Sequence, residues 1–223
     1  MNGRKASDLF VDCLEAEGVR YVFGIPGEET LDLNESLDGS TITFIPVRHE
    51  QGGAYMADMY GRLTQRAGVC LGTLGPGATN LITGVADAFL DRSPLVALTG
   101  QADLLRMHKE SHQHIDVVNM FAPVVKWNTR LNGTSVIPEV VRKAFRVAQE
   151  QKPGPTHIEL PEDVMGEPVT AEPLPPGSPR RRLEPGATEL LRATEVIRSA
   201  EHPIVLAGNG VARTGRCART TSW

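Results

Sequence analysis

The sequence predicts an α/β fold: a doubly wound, mostly parallel sheet flanked by helices, followed by the start of a second α/β domain. Short apolar runs alternate along the chain with segments whose apolar residues recur at helical spacing. The apolar runs are continuous rather than alternating, which is typical of parallel strands buried on both faces. Glycine, proline and polar residues collect where these runs end, and ligands bind at that edge of open parallel sheets.

The predicted elements begin with an amphipathic helix, which carries Leu9, Phe10, Cys13 and Leu14 and stops at Gly18. The elements predicted after it are, in order, a strand in RYVFGIPG, a helix over 30–37, a strand in ITFIPV, a helix after His49, a strand in GVCLGTL, a helix over 78–90 and a strand in PLVALTG. This alternation predicts parallel pairing, because each helix can return the chain to the same edge of the sheet.

A first domain is predicted to end near residue 165. Its last elements are an amphipathic helix in VIPEVVRKAFRVAQEQ and a strand in GPTHIELP. Residues 166–188 are rich in proline and arginine and predict a stiff linker. The first domain is therefore assigned to residues 1–165.

Residues 189–223 predict the start of a second α/β domain, with a helix over 189–200 and a strand in PIVLAGNG. They are too few to bury a core of their own. The chain closes with RTGRCARTTSW, which has no apolar periodicity. We therefore expect an incomplete domain with an atypical tail, as a truncation or a frameshift would leave.

The bulk composition excludes some partners and locations. The 223 residues carry a net charge of -4, which does not favour a nucleic acid or a membrane surface as partner. No apolar segment resembles a signal peptide or reaches membrane-span length. The three cysteines are odd in number and widely spaced, which disfavours a disulfide framework or a zinc site. We expect a cytoplasmic protein.

The segment TLGPGATN joins a strand end to a helix start through a Gly-Pro-Gly turn. Gly75 and Gly77 allow a ligand to approach the backbone closely, and the helix start favours an anion. Asn80 stands where a dinucleotide fingerprint has its third glycine, and no acid ends the next strand, so a dinucleotide site is disfavoured. A purely structural turn stays open as the alternative. The later AGNGVARTG is a weaker phosphate-loop candidate.

Other catalytic chemistries find little support in the sequence. His108, His112 and His114 lie close together, but the last two would not share a helix face, and no acid or cysteine pattern completes a metal site. A solvated or substrate-facing loop is the favoured interpretation. The sequence contains no G-x-S-x-G nucleophile elbow and no P-loop pattern.

Glu50 lies at the junction between the strand in ITFIPV and the next helix. Acids are common in a first helical turn because they favour the positive end of the helix dipole, so Glu50 could be structural. It also lies at the ligand-binding rim of the sheet, and Gly52 and Gly53 each weaken its helix by about 1 kcal/mol. That cost predicts a large group packed closely against the helix. Both interpretations stay open on position alone.

Five segments, taken in order, resemble the N-terminal pyrimidine-binding domain of thiamine diphosphate enzymes. They are FGIPGEETLDL, VRHEQGGAYMADMYGRLT, the run from GVCLG to LTGQ, HKESHQHIDVV and KPGPTHIELPEDV. R-H-E-x-G-x-x-x-M-A followed by G-P-G-A-T-N is specific only as a combination. The resemblance covers residues 5–210 and is strongest towards acetolactate synthase catalytic subunits. Pyruvate oxidase, glyoxylate carboligase and benzaldehyde lyase are more distant.

The resemblance implies a catalytic role for Glu50. In this family one glutamate hydrogen-bonds N1′ of the cofactor's aminopyrimidine ring, which favours the imino form that removes the thiazolium C2 proton. Glu50 matches that glutamate, and Gln113 matches a glutamine near the reacting centre. The cofactor-binding residues implied by the match are Gly24, Ile25, Pro26, Gly27, Glu50, Gly75, Pro76, Gly77 and Asn80. His49 and Gln101 are expected on the same rim.

The resemblance also implies parts that lie outside this sequence. The family holds the diphosphate and its Mg²⁺ in a C-terminal domain through a G-D-G motif, which does not occur here, so we expect no metal ligand in this chain. The cofactor lies between subunits, which implies a homo-oligomer or a partner that carries the diphosphate-binding domain. Lys152 stands where an arginine helps some members to hold FAD, which disfavours an FAD contact.

Three functions follow as hypotheses. In the first, the chain is the N-terminal part of an acetolactate synthase-like transferase of branched-chain amino acid biosynthesis. Such an enzyme decarboxylates pyruvate and joins the product to a second 2-oxo acid. The N-terminal part of an oxidase, a carboligase or a lyase of the same family is the variant of this hypothesis. Alternatively the chain is an inactive truncated or split chain that only binds a partner. A nucleotide-binding module, supported by the glycine loops alone, is the third. By itself the chain is expected to bind the cofactor weakly and to catalyse nothing.

Overall fold

The computed structural model describes residues 3–107, 109–177 and 185–213. These residues form two compact units, which divide between residues 178 and 179. Residues 178–184 of the predicted linker and residues 214–223 of the predicted tail lie outside the described residues. The assignment of those two segments therefore stays a prediction.

The larger unit is built on a six-stranded sheet in which every strand pair is parallel. The strands are β1 Tyr21–Gly24, β2 Thr43–Pro46, β3 Gly68–Gly72, β4 Leu95–Gln101, β5 Trp127–Arg130 and β6 Pro155–Pro161. Their order across the sheet is β2-β1-β3-β4-β6-β5. The predicted doubly wound α/β fold is confirmed.

Helices cover both faces of this sheet. The helices of the larger unit are α1 Ala6–Ala16, α2 Leu31–Asp38, α3 Glu50–Thr64, α4 Pro76–Leu90, α5 Val117–Phe121, α6 Ile137–Gln149 and α7 Glu162–Gly166. α1, α2, α6 and α7 share one core with the sheet, and α3, α4 and α5 share the other. Among the described residues, no helix is both long and apolar enough to cross a membrane.

The central strands explain why the sequence shows continuous apolar runs. β3, β4 and β6 are buried along their whole length. Successive residues of β3 serve opposite cores: Val69 and Leu71 pack on the side of α1 and α6, while Cys70 packs on the side of α3 and α4. Both faces of these strands are covered, so polar residues have no solvent-facing positions to occupy.

At two places in the sheet, strands that follow one another along the chain are added on opposite sides. β2 lies on one side of β1 and β3 on the other, which opens a crevice at the carboxyl ends of β1 and β3, called here the first crevice. β6 inserts between β4 and β5, which opens a second crevice at the carboxyl ends of β4 and β6. Open α/β sheets bind ligands at such reversals.

Two elements differ from the predicted ones. β5 is absent from the prediction, because an edge strand with half-buried residues lacks the continuous apolar run of the central strands. The smaller unit contains the predicted helix, as α8 Ala187–Ser199, but the predicted strand in PIVLAGNG is wrong: residues 203–208 form no strand, and α9 Asn209–Arg213 follows them. A strand needs a neighbour for its backbone N–H and C=O groups, and residues 185–213 supply none.

Candidate functional site

The loops after β1 and β3 meet at the first crevice through glycines that leave no room for a side chain. A Cβ on Gly24 would lie 2.2 Å from the carbonyl oxygen of Leu71, and a Cβ on Gly27 would lie 2.4 Å from the Cβ of Thr73. The Thr73 hydroxyl donates a hydrogen bond to Glu29 Oε2 at 2.6 Å, which ties the two loops together. Sequence reasoning missed Thr73 and Glu29, although both adjoin the glycine motifs.

Glu50 begins α3 and is buried, with 8% of its surface exposed. His49 caps the helix, because its Nδ1 accepts a hydrogen bond from the backbone N–H of Gln51 at 3.2 Å. Asn80 Nδ2 donates to Glu50 Oε2 at 2.9 Å. Oε1 lies 3.5 Å from the position of a Cβ on Gly77, so the missing side chain leaves this oxygen uncovered on that side. The structure thus brings the glutamate, the asparagine and the Gly-Pro-Gly turn together.

Three buried acids show how unusual the surroundings of Glu50 are. Asp58 is 1% exposed and is held by two nitrogens of Arg62. Glu159 is wholly buried and pairs with Arg130. Glu50 has no cationic partner within the described residues, and its hydrogen bond comes from a neutral amide. The other two acids are paired with arginine, whereas Glu50 keeps one oxygen open at the crevice, which suits a ligand that donates a hydrogen bond.

The two glycines that follow Glu50 have different surroundings. A Cβ on Gly53 would lie 3.0 Å from the carbonyl oxygen of Phe23, so this glycine lets α3 pack against the backbone of β1. Gly52 is exposed and has nothing within 4 Å of its Cβ position. The prediction of a closely packed group therefore holds for Gly53, where that group is β1 itself.

Gln113 reaches the first crevice through the turn at Gly75. Gly75 has φ +49°, and a Cβ there would lie 2.4 Å from the carbonyl oxygen of Gln113. Gln113 has φ +53°, a left-handed conformation that costs a residue with a side chain about 1 kcal/mol or more. Its side chain is exposed. The structure places Gln113 beside the turn, and its catalytic role stays a prediction.

The remaining predicted residues of the first crevice belong to its two turns. The backbone N–H of Ile25 donates to Leu71 O at 3.4 Å, which continues the pairing of β1 with β3. Pro26 is exposed in the turn after β1. Pro76 is exposed at the first position of α4, where a proline leaves no hydrogen bond unmade.

Gln101 does not line the rim near Glu50. It is wholly buried, and its Nε2 donates to Glu159 Oε1 at 2.8 Å and to the carbonyl oxygen of Ile115 at 3.2 Å. Gln101 does end β4, as the sequence predicts. However, its side chain turns towards β6, because a buried amide needs hydrogen-bond partners and Glu159 offers one.

Of the residues that the structure describes, Lys152, His112 and His114 make no hydrogen bond to Glu50. Lys152 is exposed in the loop that enters β6 at its amino end, so it sits at the opposite edge of the sheet from the first crevice. His108 lies outside the described residues, His112 is exposed, and the Nδ1 of His114 is 3.1 Å from Gln101 Oε1. No group of three His, Cys, Asp or Glu side chains in the described part of the chain is placed to hold a metal ion.

The first crevice fits the aminopyrimidine of thiamine diphosphate on two structural grounds. Its turns are made of glycines, so backbone can approach a flat ring closely. Glu50 offers an uncovered carboxylate oxygen without a cation, and a ring nitrogen that shares a proton with it would complete its hydrogen bonding.

Comparisons with known proteins find a matching family and several relatives for this chain. Residues 4–120 match the family described as "Thiamine pyrophosphate enzyme, N-terminal TPP binding domain". The chain is 42% identical, over 96% of its length and 36% of the relative's, to a probable acetolactate synthase large subunit of Methanococcus aeolicus. It is 40% identical, over 95% of its length and 37% of the relative's, to a probable acetolactate synthase large subunit of Methanocaldococcus jannaschii. A catabolic acetolactate synthase of Raoultella terrigena is 42% identical over 91% of the chain. The chain spans little more than a third of the length of these relatives.

Proposed function

This chain belongs to the thiamine pyrophosphate enzymes, through their N-terminal TPP binding domain, and we propose that its first crevice binds the aminopyrimidine of thiamine diphosphate. One observation carries the proposal. Glu50 is a buried carboxylate that lacks a cation, is hydrogen-bonded by Asn80 and keeps one oxygen uncovered beside Gly77. A ligand with a protonated ring nitrogen satisfies that oxygen.

The residues of the first crevice have separate tasks in this proposal. Thiamine diphosphate, when bound, supplies a thiazolium carbon that acts as a carbanion towards 2-oxo acids. Oε1 of Glu50 accepts a hydrogen bond from the protonated N1′ ring nitrogen, so the proton can pass between these two atoms. Asn80 donates to Oε2, so it fixes the rotation of the carboxylate and leaves Oε1 for the ring. Oε1 is the oxygen of Glu50 that no group in the described residues bonds, so it is the one that faces the ligand.

The reaction that we propose is that of an acetolactate synthase: decarboxylation of pyruvate and ligation of the product to a second 2-oxo acid. The names of the relatives support it. The diphosphate and Mg²⁺ are then held by protein outside this chain, either further along a longer polypeptide or in a partner. We do not extend the proposal to FAD, because Lys152 lies at the opposite edge of the sheet from the first crevice.

An exposed apolar face supports a partner chain. Met56, Met59 and Leu63 are 41%, 49% and 78% exposed along one side of α3, and Leu90 at the end of the adjacent α4 is 76% exposed. Apolar side chains gathered on one surface mark interaction sites. We propose that a second copy, or a chain with the diphosphate-binding part, covers this face. We also propose a cytoplasmic location.

Thiamine diphosphate binding to the chain itself tests the proposal. Amide NMR spectra of the ¹⁵N-labelled chain are recorded during titration with thiamine diphosphate and Mg²⁺. We expect affinity weaker than micromolar, since only the aminopyrimidine half of the site is present. The shifted resonances should belong to Glu50, Gly77 and Asn80.

A pair of matched variants separates the role of Glu50 from a general effect of removing an acid. Glu50→Gln should abolish the shifts, because a neutral amide cannot exchange a proton with the ring nitrogen as a carboxylate does. Glu139→Gln changes an exposed acid in the first turn of α6 and should leave the shifts intact. Shifts that persist in Glu50→Gln would contradict the proposal, and micromolar binding to the unaltered chain would contradict its half-site part.

A further inference from the structure

A cavity of about 570 Å³ lies beside the second crevice, at the carboxyl end of β5. Its lining includes His114, Asp116, Asn119 and Arg130, and does not include Glu50. The volume is in the range of pockets that hold small molecules. The cavity is therefore large enough for a small molecule, and it is lined by other residues than the first crevice.

Arg130 presents an anchored guanidinium to this cavity. Its Nε donates to Oε2 of Glu159, which is wholly buried, and Gln101 Nε2 holds the other oxygen of that carboxylate at 2.8 Å. The two terminal nitrogens of Arg130 have no hydrogen-bond partner within the described residues, and the side chain is 27% exposed. A guanidinium fixed at Nε offers its terminal nitrogens as a fork that matches a carboxylate.

Gln101 also fixes the tautomer of His114. The Gln101 Nε2 donates to Glu159 and to the carbonyl oxygen of Ile115, and its Oε1 accepts from the backbone N–H of Ala102 at 2.9 Å, so the amide has one possible orientation. The His114 Nδ1, 3.1 Å from that Oε1, must therefore carry a hydrogen and donate it. In the neutral ring Nε2 is then an acceptor, and it has no partner among the described residues.

Asp116 limits the charge of a ligand in the cavity. Its carboxylate accepts hydrogen bonds from the backbone N–H of Asn119 at 3.1 Å and from the side-chain amide of Asn119 at 2.5 Å. These bonds lower the pKa of Asp116, so it stays ionised at neutral pH. Arg130 also contributes to this lowering, so its charge is shared by Glu159 and Asp116. Each carboxylate on a ligand therefore adds repulsion from Asp116, and only the first can be offset by hydrogen bonds to the terminal nitrogens of Arg130.

We propose that this cavity binds a small hydroxylated monocarboxylate. The carboxylate lies on the two terminal nitrogens of Arg130, and the ligand hydroxyl donates a hydrogen bond to Nε2 of His114. The proposal does not rest on thiamine diphosphate binding at the first crevice, because no residue assigned to that cofactor lines the cavity.

Three related acids test the proposal by amide NMR titration of the labelled chain. Lactate carries one carboxylate and a hydroxyl, acetate lacks the hydroxyl, and malate carries a second carboxylate. We expect lactate to shift resonances within residues 114–119 and 128–132, and to bind more tightly than acetate or malate. Lactate shifts confined to other parts of the chain, or malate that binds as tightly as lactate, would overturn the proposal.

Substitutions assign the contacts. Arg130→Lys keeps a cation opposite Glu159 but loses the fork, and should weaken lactate binding about tenfold. His114→Phe should remove the preference for lactate over acetate. Asp116→Asn keeps a helix-capping side chain and should raise malate affinity to that of lactate. Unchanged lactate affinity in Arg130→Lys, or unchanged malate affinity in Asp116→Asn, would count against the site.

One control keeps the two sites apart. Glu50→Gln should bind lactate as the unaltered chain does, even though it no longer responds to thiamine diphosphate. Loss of lactate binding in Glu50→Gln would place the acid at the first crevice and refute a separate site. Failure of the thiamine titration alone leaves the lactate result standing.

Discussion

Replacing His157 with glutamine is expected to remove a large part of the acid sensitivity of the larger unit. His157 lies in β6 and is wholly buried, with its ring stacked on Phe121 at a centroid distance of 4.2 Å. Its Nε2 shares a hydrogen bond with Thr99 Oγ1 at 2.8 Å, while Nδ1 has no partner among the described residues. Burial lowers the pKa of His157 from 6.5 to about 3. The folded protein therefore keeps the ring neutral where the unfolded chain takes up a proton.

The sign and size of the effect follow from this difference in proton binding. As the pH falls below the unfolded value, only the unfolded chain gains the proton, so stability falls until the pH reaches the folded value. The full slope is about 1.4 kcal/mol per pH unit. Uptake is partial at the upper end, so the change between about pH 7 and about pH 5 is about 2 kcal/mol. Single domains are stable by about 5–15 kcal/mol, so this change is measurable.

Urea unfolding at these two pH values measures the effect. Glutamine can still hydrogen-bond Thr99 but takes up no proton, so His157→Gln should lose about 2 kcal/mol less stability than the unaltered chain on acidification. His112→Gln, at an exposed histidine, should lose as much as the unaltered chain. Equal losses in His157→Gln and the unaltered chain would refute the reasoning.

Two further predictions concern α3. Gly52→Ala should stabilise the larger unit by about 0.5–1 kcal/mol, because the new Cβ enters open space in a helix. Gly53→Ala should destabilise it by about 1–3 kcal/mol, because its Cβ would press on the carbonyl oxygen of Phe23 at 3.0 Å. Urea midpoints that move the same way in both variants would contradict this prediction. Met59→Lys should shift the sedimentation of the chain towards the monomer, because it places a charge on the apolar face of α3. Leu105→Lys, at a leucine elsewhere that is 78% exposed, should not. An oligomer that survives Met59→Lys would exclude this face.

The fold was predictable wherever local sequence decides the outcome. The central strand β3 is buried on both faces, so every position must be apolar or small, and the run GVCLG shows this directly. β5 was not predictable in the same way, because Trp127–Arg130 is an edge strand that carries polar residues and exists through its pairing with β6. The apolar run at 203–208 shows the converse. It has the composition of a strand but no neighbouring strand in residues 185–213.

The sequence was enough to predict which residues of the candidate site lie at the carboxyl ends of the strands. It was not enough to predict which hydrogen bonds these residues make. The rim location of Glu50 follows from its place after β2, and the closeness of Gly77 follows from the carboxyl end of β3. The hydrogen bond from Asn80, 30 positions away, depends on how α4 packs against α3. Gln101 shows the limit of such reasoning. It ends its strand as expected, yet the choice between the rim and the interior is made by Glu159, a residue 58 positions away.

The two crevices use the same architecture with opposite electrostatics, and this decides what each can bind. At the second crevice the chain supplies its own cation, so Glu159 is neutralised by Arg130 and the remaining guanidinium nitrogens are free to bind an acid. At the first crevice no cation accompanies Glu50 within the described residues, so in the proposed function the ligand donates the hydrogen bond that Oε1 accepts. A lysine or arginine there would stabilise the fold but would hold the carboxylate ionised and occupied. In the proposed function the absence of that cation leaves Glu50 able to exchange a proton with the ligand. We therefore expect an engineered cation beside Glu50 to raise stability while it abolishes the response to thiamine diphosphate.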